Sequence, residues 1–157
     1  MKFLSIFILL CSASAFGQDS SAFKLTLTTF NHAERIFDGT TTFILTPSSL
    51  TVTKTYLENQ TKTVYSKKIS DKAKNIKKVK AVDLQSLKDL YFNYCVLPTS
   101  GDEYFLQVTN NSNKRQISLH HYYLPALNDI IAFLNDELPK RHQFHYLGKD
   151  TKQDCNP

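Results

Sequence analysis

The sequence has no tryptophan, four glycines, five prolines and three cysteines among 157 residues. So few glycines exclude collagen-like repeats and leave little material for phosphate-cradling or dinucleotide-binding loops. No C-x-x-C, H-E-x-x-H or G-x-S-x-G spacing occurs, so the common signatures of zinc, dithiol and serine-nucleophile chemistry are missing. After the amino terminus no stretch approaches 18 consecutive apolar residues, so no later segment is expected to span a membrane. What is present is a 41% hydrophobic content with 11 Phe and 8 Tyr, enough for one ordinary core at a length of one domain.

Met1-Lys2 is followed by an apolar run from Phe3 to Cys11 and then by Ser12, Ala13, Ser14 and Ala15. A charged start, a short apolar stretch and a small-residue exit describe a secretory signal peptide. Ala15-Phe16-Gly17 places small side chains at −3 and −1, so residues 1–17 read as a leader and 18–157 as a single domain, exported to the periplasm or beyond. Leu10 stands where a bacterial lipobox would have a small residue before Cys11, so a soluble product is expected over a lipidated one. Cys95 and Cys155 then remain. Outside the cytoplasm they can form one disulfide tying the tail to mid-chain, or stay as two thiols.

Alternation of apolar and polar residues over Phe23–Thr28, Thr41–Thr46, Leu50–Tyr56 and Thr61–Ile69 predicts four strands, the last two as a hairpin, with Asp38-Gly39 as a turn. Asp83 can cap a helix whose Leu84, Leu87, Leu90 and Tyr91 share one face. Tyr104–Val108 and Gln116–Leu119 form a second hairpin. Leu124, Leu127, Ile131, Leu134 and Leu138 then step by three and four behind Pro125, the strongest helical signal in the chain. Gln143–Leu147 reads as an added edge strand. The expected fold class is α+β, an antiparallel sheet of about five to seven strands with two helices packed on one face. This order, with Leu87–Tyr94 and Asp102–Leu106 as its most characteristic stretches, resembles that of small exported proteins of Gram-negative bacteria over residues 22–138, a resemblance that implies no particular activity.

His120 and His121 are adjacent and diverge on a strand, and zinc needs three or four converging ligands, so neither metal nor other cofactor is expected. Asp102-Glu103 after Ser100-Gly101 reads as a solvated turn. Tyr91, Tyr94, Tyr122 and Tyr123 offer rings that can stack on sugars or peptides, but read first as edges of the core. Charge is more informative. From Lys62 to Lys80 there are eight lysines against one acid, Asp71. Lys67, Lys68, Lys72, Lys74, Lys77, Lys78 and Lys80 therefore form the candidate binding segment, for an anionic glycan, a lipid head group or an acidic protein, with nucleic acid not expected after export. Against this stands the plainer role of lysines that keep an edge strand soluble. The expected function is that of an exported binding protein; the alternatives are a small hydrolase centred on His120 and His121, and an inhibitor or immunity-type protein.

Overall fold

Leu25 and Leu27 are fully buried while Thr26 and Thr28 face the other side, the alternation of a strand with one face on a core. A computed structural model describes residues 23–32, 39–56, 60–70, 74–111 and 113–155 of the chain. The proposed leader, Asp38, Asp71 and Lys72 lie outside these residues, as do the side chains of Lys74 and Lys78. Seven strands form one sheet: β1 (Lys24–Asn31), β2 (Thr40–Leu45), β3 (Ser49–Thr55), β4 (Thr61–Lys68), β5 (Leu90–Phe92), β6 (Asp102–Asn110) and β7 (Asn113–His120). Their order across the sheet is β4-β3-β2-β1-β6-β7-β5, with β1 at the centre. At the β2 entry, Gly39 has φ +65, and a Cβ there would meet the Thr55 carbonyl oxygen at 1.8 Å, so only glycine fits.

The covered face buries Leu25, Leu27, Phe43, Leu45, Leu50, Val52, Tyr104, Leu106, Ile117 and Leu119. Against it lies the main helical element, a 3-10 turn (Pro125–Leu127) running into α2 (Asn128–Glu137), which contributes Leu127, Ile130, Ile131, Phe133 and Leu134. This is the helix that the three-and-four spacing predicts. No helix among the described residues is long and apolar enough to cross a membrane.

Three expectations are corrected. The sheet is mixed, because β5 pairs with β7 in parallel, Tyr91 opposite Leu119. No helix begins at Asp83; an eight-residue helix, α1 (Lys74–Ala81), ends before it, so the fold is mostly sheet with one principal helix. The cause is Arg115. Its guanidinium donates to the carbonyls of Leu84 and Leu87, groups that a helix would have used, and pairs with Asp89, while Leu90 and Tyr91 are drawn into β5. Nor is Gln143–Leu147 a strand. After Pro139 and a 3-10 turn (Lys140–His142), Phe144 exchanges two hydrogen bonds with the Asn135 side chain on α2, at 3.0 and 3.2 Å. An asparagine on the helix takes the place of a sheet edge.

Candidate functional site

The sheet has two chemically different ends. At one, β1 runs out, β6 begins and β7 stops. Register sets Asn31 opposite Asp102 and Glu103 opposite His120. Adjacent residues point to opposite faces. On the covered side, the Asp102 carboxylate accepts from Asn31 Nδ2 at 2.5 Å, and the Asp102 amide donates to His121 Nδ1 at 3.1 Å. On the open side, Glu103 meets two imidazoles: its Oε1 lies 3.1 Å from His32 Nε2 and 3.4 Å from His120 Nδ1. The two adjacent histidines thus part, His120 at the last position of β7 and His121 beyond it with φ +43. His32, whose amide donates to the Gly101 carbonyl, joins them from 71 residues away.

His120 is 4% exposed. Its Nε2 lies 3.3 Å from the Leu97 carbonyl oxygen, and Phe92 stacks on its ring at 4.5 Å and 16°. Phe30 meets the His32 ring edge-on at 4.8 Å. The segment Asn93–Gly101 carries Leu97 over this corner, and Cys95 within it is bonded to Cys155, with Cα atoms 5.2 Å apart. The disulfide alternative is the one the structure bears out.

A groove of about 430 Å³ opens on the covered side, lined among others by Thr29, Asp102, Tyr104, Lys54, Arg141 and His142. Burial pushes the Tyr104 hydroxyl well above the ordinary tyrosine range, and the Asp102 carboxylate adds to it. Desolvation lowers His142, helped by the Arg141 and Lys54 cations. Asp102 lines this groove, whereas Glu103 and His120 do not. The tyrosines sit at core edges: Tyr91 packs on Tyr122 at 5.2 Å and Tyr123 on Tyr146 at 5.7 Å, while Tyr94 is exposed.

At the opposite end the candidate lysines are divided. The Lys67 ammonium is bonded to Glu137 on α2 at 2.6 Å, which raises its pKa. Lys68, Lys77 and Lys80 are exposed, Lys80 with its ammonium 5.5 Å from the centre of the Phe23 ring. Lys62 lies over Tyr56, at the far end of β4. Register adds two cations that a search for charge runs passes over. Lys68 pairs with Ser49, Lys24 with Thr109, and Thr109 with Lys114, so Lys68, Lys24 and Lys114 form one row across the open face. Compared with known proteins, the chain matches no family model, no curated protein and no solved structure.

Proposed function

We propose that the protein is an exported recognition domain that binds an extended polyanion across its basic end, without making or breaking bonds. The observation that carries this reading is the row Lys68–Lys24–Lys114 on the open face of the sheet. At about 4.8 Å per strand, three steps separate Lys68 from Lys24 and two separate Lys24 from Lys114, a span of about 24 Å. A linear acidic glycan fits such spacing better than a single small anion does. Edge protection accounts for Lys68 on β4, but Lys24 lies on the central strand, where there is no edge to guard.

The test is retention on a sulfated-polysaccharide column. Reversing Lys24, Lys68 and Lys114 to Glu should sharply lower the salt needed for elution and flatten its salt dependence. Reversing Lys149 and Lys152, in the carboxyl-terminal tail, should have a much smaller effect. Equal elution of the two variants would refute the reading.

A further inference from the structure

We propose that His32, Glu103 and His120 bind a divalent transition-metal ion of the zinc class. This site lies at the other end of the sheet and is independent of the polyanion reading. Three segments distant in sequence bring one donor each: the turn after β1, the start of β6 and the end of β7. Their ligand atoms all lie within 4.8 Å of one another. Zinc holds nitrogen and oxygen donors at about 2.0–2.2 Å, which puts neighbouring corners of a tetrahedron about 3.3–3.5 Å apart. The His32–Glu103 and His120–Glu103 separations, 3.1 and 3.4 Å, are close to that edge.

The proton inventory points the same way. A carbonyl only accepts, so the tautomer that satisfies the contact of His120 Nε2 with the Leu97 oxygen at 3.3 Å carries its hydrogen on Nε2. In the neutral ring Nδ1 is then a lone pair, and it faces a carboxylate oxygen at 3.4 Å. Two electron-rich atoms in that position repel unless a cation lies between them. A carbonyl that fixes one ring nitrogen so that the other faces the ion is the usual outer-shell arrangement of metal-bound histidine. Phe92 and Phe30 hold the two rings in place. The side chains of His32 and Glu103 are 14% and 25% exposed, which leaves a path for the ion. Two imidazoles and one carboxylate suit a borderline ion such as zinc, and three protein ligands leave a fourth position open. Cys95, Asp154 and Cys155 also gather, but their sulfurs are bonded to each other and offer no thiolate.

The rival occupant is a proton, which would make His120 an imidazolium paired with Glu103. Titration of the untagged, chelator-stripped protein, disulfide intact, with Zn(II) by calorimetry and with Co(II) by visible absorption separates the two. The expected result is one ion per chain. Glu103→Gln and His32→Gln should each weaken Zn(II) binding by at least about 100-fold, since outer-shell changes alone typically cost 10–100-fold. His142→Gln, outside the cluster, should leave it unchanged. His32 is in a turn at the sheet's end, so its variant is expected to fold, with circular dichroism as the check. Absence of stoichiometric Zn(II) binding, or binding retained in folded His32→Gln and Glu103→Gln alike, would overturn the proposal in favour of the proton.

Discussion

The side-chain amide of Asn93 donates to the backbone carbonyl of Lys152 at 2.8 Å, across 59 residues of sequence. The same nitrogen donates to the His121 carbonyl at 2.9 Å, and Oδ1 accepts from the Cys95 amide at 2.8 Å. Asn93 is fully buried, and this one side chain joins the end of β7, the Cys95 segment and the tail. Asn93→Ala would leave two carbonyls and an amide without partners, so a loss of about 2–4 kcal/mol is expected in urea unfolding. The exposed Asn110→Ala should lie within about 0.5 kcal/mol of wild type.

The disulfide should contribute about 2–4 kcal/mol, since it closes a loop of 60 residues. Paired Cys95→Ser and Cys155→Ser changes should lower the thermal midpoint by roughly 10 °C. The loss should be largest at the Tyr123 corner, where the tail's Gln153 side chain bonds the Tyr123 amide and carbonyl. Hydrogen exchange at Tyr123 would report this directly.

Gly101 has φ +84, and an added Cβ would meet His121 Nδ1 at 2.6 Å. His121 is itself held at φ +43, so neither partner yields easily. Gly101→Ala is therefore expected to cost about 1–3 kcal/mol. Gly148→Ala, whose nearest neighbour would be at 4.0 Å, should be close to neutral. Chemical denaturation of the pair provides the comparison.

Tyr146 is buried against Tyr104, with ring centroids 5.2 Å apart, and its oxygen both accepts from the Leu124 amide and donates to the Leu124 carbonyl. Burial pushes the Tyr146 hydroxyl up to about 12, and Tyr104 is raised as well. The folded state thus holds these protons more tightly than the unfolded chain. The resulting stability is complete below about pH 10 and is lost as pH rises from there through about 12. Unfolding free energies measured across that window should fall, and Tyr146→Phe should make the fall shallower.

The strands and α2 were legible because their burial patterns are local: Leu25 and Leu27 alternate, and Leu127, Ile131 and Leu134 repeat on one stripe. Leu84–Tyr91 misled for a physical reason, since a distant arginine competes for its carbonyls and β7 for its backbone. Parity set His120, the last residue of β7, on the face opposite Ile117 and Leu119. It could not show that β1 lies beside β6, which is what brings His32 to Glu103 and sets Lys24 in line with Lys114. Both candidate sites are products of that one long-range pairing.

The Cys95–Cys155 bond also divides the molecule by connectivity. Residues 95–155, with β6, β7 and α2, become a covalent ring, while β1 to β5 belong to a linear arm joined to it by the chain at Cys95 and otherwise held by non-covalent packing. A protease nick inside the ring, for instance within Pro98–Gly101, releases no fragment until the sulfurs are reduced. A nick between β4 and α1 frees β1 to β4 as soon as the pairing of β1 with β6 gives way.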